Sequence, residues 1–547
     1  MFGLMQQRPL MIASLLTHAA RHHTDAGVVS NTVEGGIHRY TYPEAERRSR
    51  RLVRVLQKLG VGAQDRVGTL AWNGYRHFEL YYAVSGMGAI CHTINPRLFP
   101  EQIAFIVNHA EDTVLFADIT FAKLVEALAP RFAGSVRAVV MMTDAAHMPA
   151  MDLPAGMALH CYEDLLADAD EDYEWPEFDE NTASSLCYTS GTTGDPKGVL
   201  YSHRSTILHA YAVSLPDVME LRATSRLLPV VPMFHVNAWG TPYAAPMTGA
   251  TLVMPGPHLD GASMQALMDG ERVTCATGVP TVWLGLLQHL RKSGTRIDTV
   301  KKLVVGGSAC PRMLMEAFGE EYGVRVDHGW GMTEVSPVGA YCAPKPANAD
   351  LTGEEAMRVR LKQGRAPYGV DMKIVGADGR ELPWDGTSFG ELYVKGPWVC
   401  SSYYKVGNAG SHDAEGWFRT GDVVTIDGQG YVEITDRAKD VIKSGGEWIS
   451  SIELENIAVG HADVAEAAVI AARHPKWDER PLLIVVPKEG SVVTREALLA
   501  FYEGKVAKWC VPDDVVVVDR LPHTATGKLL KTALRETYRD HYMTASD

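Results

Sequence analysis

Residues 188–198 read Tyr-Thr-Ser-Gly-Thr-Thr-Gly-Asp-Pro-Lys-Gly, a set of residue types suited to holding a polyphosphate. Gly191, Gly194 and Gly198 let backbone N–H groups converge on an anion. The hydroxyls of Thr189, Ser190, Thr192 and Thr193 add donors, and Lys197 adds a mobile positive charge. The spacing Gly-x-x-x-x-Gly-Lys-Ser/Thr of the common nucleotide loop is absent, with Gly198 where a magnesium-binding hydroxyl would be needed. Kinase-like and GTPase-like readings are weakened accordingly. Taken alone, the loop also reads as an ordinary polar surface turn.

Further groups lie downstream. Gly329-Trp-Gly-Met-Thr-Glu334 places an indole between two glycines, where it can lie flat in a narrow slot, and ends on a carboxylate suited to Mg²⁺. Asp422 follows Gly421 and offers two acceptor oxygens, either to a ligand or to a turn. Gly445 and Gly446 suit a tight turn.

These residues need a rigid frame. In the first 180 residues short β-branched runs alternate with helical patterns: a strand over 65–71, helices over 75–87 and 101–109, and a strand over 113–117. This rhythm predicts a layered α/β domain with a largely parallel sheet. The acidic stretch 167–180 reads as a solvated connector, and Ala183-Ser-Ser-Leu-Cys-Tyr as the strand that delivers the loop. From about 365 to 436, short strands and Asp-Gly turns at 378, 385 and 427 predict an antiparallel part. The last hundred residues are again α/β, with helices expected near 451–458 and 494–508.

Composition narrows the class. With 547 residues, 46% of them hydrophobic, the chain can bury large cores and divide into more than one domain. A formal charge of −14 argues against a general nucleic-acid binder. The eight cysteines are dispersed with no C-x-x-C pair, against a disulfide framework or structural zinc. The stretch 11–20 reads as an amphipathic helix rather than a secretion signal, no membrane span is expected, and the terminal Thr-Ala-Ser-Asp is not a peroxisomal address. A cytoplasmic location is the expectation.

In order along the chain, the loop at 188–198, Gly329–Glu334, Tyr404, Gly416–Asp422, Asp436–Glu447 and Thr524–Lys528 resemble the adenylate-forming superfamily of acyl-CoA synthetases, amino-acid adenylation domains and beetle luciferases. That resemblance implies an α/β fold with a large multi-subdomain N-terminal domain over 1–436, including a distorted β-barrel-like antiparallel part. A small mobile α/β lid would follow over 437–547. It implies ATP, Mg²⁺ and CoA as ligands. Trp330 would stack on adenine, with Gly307, Ser308, His328, Gly329, Gly331, Met332 and Thr333 around the nucleotide. Glu334 would hold Mg²⁺, Asp422 the ribose, and Arg437 the nucleotide beside a hinge at Lys439.

By the same resemblance Lys528 and Mg²⁺ offset the repulsion as a carboxylate meets the α-phosphate, giving acyl-AMP and pyrophosphate. The lid then rotates and brings Lys443, Gly445, Gly446, Glu447 and Trp448 into place for attack by the CoA thiol. The segment Pro232–Trp239 resembles the border of the acyl pocket. His235 stands where amino-acid adenylation domains commonly have Asp, so an α-ammonium lacks its counter-charge. His235, Val236, Trp239, Gly306 and Pro337 would enclose a simple acyl chain. The wording of 441–450, with Trp448 in place of the commoner Asn, resembles medium-chain fatty-acyl-CoA ligases and 3-(methylthio)propionate-CoA ligases. His523 occupies a position often held by Arg. The resemblance also implies a homodimer. Two acceptors remain open, free CoA and a separate acyl carrier protein.

Overall fold

β-Branched and aliphatic runs that are buried on both faces build two large sheets, as parallel strands require. The computed structural model describes all residues except 2, 133, 190–194, 408–409, 438, 445–446, 524–528 and 544–547, and only the backbone of 447–448. One sheet has seven strands, in the order Ala158–Cys161, Ala138–Met141, Asp112–Ala117, Arg66–Leu70, Ile90–Thr93, Ala183–Tyr188 and Gly198–Ser202. All of its pairings are parallel except the last, which is an antiparallel hairpin around the glycine-rich loop.

The second large sheet has eight strands: Val338–Tyr341, Arg325–Gly331, Lys302–Val305, Cys275–Gly278, Arg226–Pro229, Thr251–Met254, Gly27–Asn31 and Ile37–Thr41. It is parallel except at its two edges. Arg226–Pro229 lies between the strand that follows it directly and Cys275–Gly278, so the chain order reverses there. Beyond the carboxyl end of such a strand is where open α/β sheets bind ligands.

Helices cover these sheets through apolar stripes. In Ile12–His22 the residues Ile12, Leu15, Leu16 and Ala19 are buried at helical spacing. The helix Tyr42–Lys58 starts at a capping box between Thr41 and Glu44. Pro280–Ser293 and Arg312–Tyr322 bury Trp283, Leu287 and Phe318 against the eight-stranded sheet.

The described chain forms two compact units. One comprises 195–371 and 395–412 with the N-terminal part of the chain, and the other 372–394 and 413–547. The second unit holds a four-stranded sheet, Asp371–Val375, Phe389–Lys395, Phe418–Ile426 and Val432–Arg437. Its turns use the expected Asp-Gly pairs: Asp385 accepts from the N–H groups of Thr387 and Ser388, and Asp427 from those of Gln429 and Tyr431.

The second unit's other sheet is centred on the antiparallel pair Val464–His474 and Asp478–Pro487. Val469 and Leu483 pack to one face with Leu454 and Tyr502, while Ile470, Leu482 and Ile484 pack to the other with Leu534. This strict alternation shows a sheet covered on both sides. The helix expected over 494–508 is shorter, Arg495–Phe501, because the chain turns at Gly504 with φ +74°. Among the described residues no helix is long and apolar enough to cross a membrane.

Candidate active site

The glycine-rich loop is held at its neck. Tyr188 pairs with Gly198 across the hairpin, the Thr189 N–H donates to the Lys197 carbonyl at 2.9 Å, and the Lys197 N–H donates to Thr189 Oγ1 at 3.4 Å. Ser190, Gly191, Thr192, Thr193 and Gly194 lie outside the described residues. The Lys197 ammonium stands 5.0 Å from the centroid of the Tyr403 ring, a cation–π distance. Tyr403 in turn donates its hydroxyl to Glu334 Oε1 at 2.7 Å. Burial, and then the Glu334 charge, push the Tyr403 phenol above its ordinary pKa and keep it a donor.

Glu334 is itself buried, and its carbonyl accepts from the Cys400 N–H at 2.8 Å. The Tyr201 hydroxyl donates to the Thr333 carbonyl at 2.6 Å, and the Tyr404 N–H to the Gly198 carbonyl at 2.9 Å. The loop neck, the turn Thr333–Val335 and the segment 400–405 are thus stitched together around one cation and one carboxylate. Among the described residues no three His, Cys, Asp or Glu gather as a metal cage. A single buried carboxylate suits Mg²⁺, which dehydrates reluctantly and commonly takes one or two carboxylates plus substrate phosphates.

Trp330 lies on Arg325–Gly331 and is 8% exposed. Its space is cleared chiefly by Gly339 on the neighbouring strand, where a Cβ would come within 2.2 Å of the indole Cζ3. Gly331 is required for another reason, since a Cβ there would stand 2.1 Å from the Pro337 carbonyl oxygen. Gly329 packs against the Ala340 carbonyl. His328 is buried, burial lowers its pKa, and its Nδ1 lies 3.0 Å from the Leu361 carbonyl, so the ring braces the strand against the end of Gly353–Leu361. Gly307, with φ +82°, and Ser308 are exposed beyond the strand Lys302–Val305. Met332 has extended backbone ahead of the buried Thr333.

The segment following Arg226–Pro229 is unusual. Val236, Asn237, Ala238 and Trp239 have φ values of +48°, +51°, +49° and +56°, and Gly240 follows at +73°. Left-handed backbone costs an L-residue roughly 1–2 kcal/mol, so four in succession require outside support. Asn237 receives it: its Nδ2 donates to Ser185 Oγ at 3.0 Å, and its Oδ1 accepts from Cys187 Sγ at 3.4 Å and lies 3.2 Å from the Tyr81 hydroxyl. The turn presents the Trp239 indole to Gly306, where a Cβ would come within 2.7 Å of Cη2. His235 begins the turn, its N–H bonded to the Pro232 carbonyl at 3.1 Å.

In the second unit Asp422 and Arg437 are cross-strand partners, with Arg437 Nε 2.8 Å from Asp422 Oδ1 and the Asp422 side chain 2% exposed. Asp436 next to them accepts from the Ser451 N–H at 2.6 Å. Burial lowers the pKa of Lys439. Lys443 is exposed on Ile442–Ser444, its N–H donating to Glu479 Oε2 at 2.8 Å, and this strand pairs with Glu447–Ile449. Gly445 and Gly446 lie outside the described residues, as do the side chains of Glu447 and Trp448. Lys528 lies outside them too; His523 and Leu529, on either side of 524–528, form an antiparallel bridge. His523 Nε2 is 3.2 Å from Glu466 Oε2.

Three site residues escape sequence reasoning. Tyr403 joins Lys197 to Glu334, Asn237 holds the left-handed turn, and buried His209 accepts the Val338 N–H at 3.2 Å. Tyr403 has a signal in its adjacency to the motif residue Tyr404, and Asn237 in its place within Pro232–Trp239, whereas His209 has none.

The sequence matches the AMP-binding enzyme family over residues 16–404 and the AMP-binding enzyme C-terminal domain over 453–528. A 3-methylmercaptopropionyl-CoA ligase of Ruegeria lacuscaerulensis is 52% identical over 540 residues, 99% of either chain. A medium-chain-fatty-acid–CoA ligase of Ectopseudomonas oleovorans is 50% identical over 546 residues, 100% of this chain and 99% of that one. Among solved structures, an anthranilate CoA ligase in complex with anthranoyl-AMP shares the fold with a TM-score of 0.85 at 22% identity, covering 97% of this chain and 98% of that one. The chain belongs to the AMP-binding enzyme family.

Proposed function

We propose that this enzyme activates a short- or medium-chain monocarboxylic acid. The reaction class is ATP-dependent acid–CoA ligation through an acyl-AMP. A carboxylate oxygen attacks the α-phosphorus of ATP and the bond to the β-phosphate breaks, releasing pyrophosphate. The CoA thiol, losing its proton, then attacks the acyl carbonyl and AMP leaves.

The observation that carries the acid class is the turn 235–240. It sets the Trp239 indole against Gly306, and Pro232–Gly240 contains no Asp or Glu to meet an α-ammonium. An apolar acyl group without a second charge suits such a wall. Val236, Gly306 and Pro337 complete the pocket in this reading, and His235 stands at its entrance.

Thr189, the loop hydroxyls and Lys197 hold the phosphates, and Glu334 holds the Mg²⁺ that accompanies them. Trp330 stacks on adenine, while Asp422 takes the ribose hydroxyls beside Arg437. Lys528 supplies the positive charge for adenylation, and the segment Lys443–Trp448 serves thioester formation. We place the division of labour at 436/437, with 437–547 the mobile domain and Lys439 its hinge. A cytoplasmic homodimer completes the reading, checked by light scattering and fractionation.

The near-equal identity to the two ligases gives a second reading specific weight: 3-(methylthio)propionate as the acid. Mass-spectrometric CoA ligation with ATP and Mg²⁺ against straight-chain C2 to C12 acids, 3-(methylthio)propionate and aromatic acids tests both. Highest kcat/KM at C6 to C10 supports the medium-chain reading, and preference for the thioether acid supports the other. Acyl-AMP formation without any CoA thioester would redirect the acceptor to a carrier protein.

A further inference from the structure

The left-handed turn in the acyl segment is held from outside itself, and the holding groups fall on elements of known place. Ser185 and Cys187 lie two residues apart on the same face of Ala183–Tyr188, the strand that delivers the phosphate loop. Tyr81 belongs to the buried helix Tyr75–Gly86, and its hydroxyl donates to the Met233 carbonyl at 2.5 Å, just ahead of the turn. Met233 is also fixed by its N–H, which donates to Asn73 Oδ1 at 2.6 Å. Asn237 is 5% exposed, so its amide has these protein groups rather than water as partners.

At the far end, Gly240 packs so closely on His209 that a Cβ would stand 2.6 Å from the ring Nδ1. The same ring accepts the Val338 N–H, next to Pro337. Both ends of the turn are therefore tied down, and Trp239 sits between the two ties.

From this geometry we propose that Asn237 is a positioning residue for acyl selectivity. By clamping the left-handed turn to the phosphate-loop strand it fixes how far Trp239 reaches over Gly306, and so the depth of the acyl pocket. This rests on the reading of Trp239 as a wall of that pocket. Asn237 contacts no reacting atom in this role. It acts through Trp239, and its loss lets the indole withdraw, so longer acids gain relative to shorter ones.

The test compares kcat/KM for butyrate and octanoate in wild type, Asn237→Gly, Ser185→Ala, Trp239→Ala and the double variant Asn237→Gly/Trp239→Ala, with KM for ATP and melting temperature measured alongside. Glycine tolerates the positive φ of position 237, so Asn237→Gly removes the anchor while sparing the backbone. The expected result is a shift of about tenfold in the octanoate-to-butyrate ratio for Asn237→Gly, the size of discrimination apolar pockets achieve. A smaller shift in the same direction is expected for Ser185→Ala, with KM for ATP unchanged within about twofold. In the Trp239→Ala background Asn237→Gly should add nothing to the ratio, because the two act as one unit.

An unchanged ratio, an equal loss on every acid, or the same shift with and without Trp239 would overturn the proposal. Should Asn237→Gly fail to fold, Ser185→Ala alone decides it by the same ratio. A wild-type protein that forms no thioester with either acid would instead sink the acyl-chain reading beneath it.

Discussion

The N-terminal and C-terminal units treat their chemistry-bearing residues differently. In the first, Glu334, Trp330 and Asn237 are all buried, and Glu334 and Asn237 are bonded to groups on other elements. In the second, Lys443 is exposed on the three-residue strand Ile442–Ser444. Groups that must present one geometry to ATP and acid gain from burial and multiple anchors. In the reading proposed above, groups that serve successive half-reactions gain from standing on exposed elements that can change place. The proposed reading asks for such a contrast, with a fixed binding surface and charges exchanged between half-reactions.

The sharpest way to break this comparison is to remove the exchanged charge. Lys528→Ala should lower pyrophosphate release by about 10²- to 10³-fold, the usual consequence of losing a group that stabilises transition-state charge. Conversion of supplied acyl-AMP to acyl-CoA should change little. Equal losses in both half-reactions would show that the lysine serves the fold or both steps.

A smaller loss, roughly 10- to 100-fold, is expected for Glu334→Gln in the adenylation step, together with a raised Mg²⁺ requirement measured by titration. Tyr403→Phe should follow it in direction with a lesser effect, since it removes only the donor to Glu334. An unchanged Mg²⁺ requirement in both variants would remove Glu334 from the metal.

Lys443→Ala should slow thioester formation about tenfold while the first turnover of pyrophosphate remains, read by quenched-flow on both products. Loss of the pyrophosphate burst would place Lys443 in the wrong half-reaction.

The smallest expected effect concerns the fixed region. Burial pushes the His209 pKa down to about 3. The unfolded chain takes up a proton near pH 6.5 and the folded one does not, so the stability His209 contributes is present above pH 6.5 and lost as pH falls below it. At pH 5 that loss is about 2 kcal/mol. His209→Gln should therefore lower the melting temperature at pH 7.5 and lower it by clearly less at pH 5. Comparing the two proteins cancels other buried groups such as Asp118, whose pKa burial raises to about 7 and whose effect has the opposite sign. A pH-independent difference would show that His209 takes up its proton in the fold as readily as in the unfolded chain.

Much of the architecture is legible in the chain because it depends on local pattern. The β-branched runs near 66–70 and 112–117, the helices between them and the Asp-Gly turns of the antiparallel part are short-range signals, and the structure has them. The apolar pattern near 494–508 continues past Phe501, but the helix stops there and the chain turns at Gly504 through backbone freedom. At the site, a motif can name Trp330, yet the residue that most tightly clears its space is Gly339, across a strand pairing interrupted by a bulge. The turn at 236–239 has no local signature at all. Val, Asn, Ala and Trp do not announce four left-handed residues, and the partners that hold them come from 81, 185 and 187. Tertiary bonds decide this segment, and single-sequence pattern does not contain them.

The most direct measurement is the product inventory of the wild-type enzyme with octanoate or 3-(methylthio)propionate, ATP and Mg²⁺, first without CoA and then with it. The expected result is acyl-AMP and one equivalent of pyrophosphate before CoA is added, then acyl-CoA and AMP in equal amounts. Formation of ADP and phosphate, or a thioester that appears without passing through acyl-AMP, would contradict the mechanism.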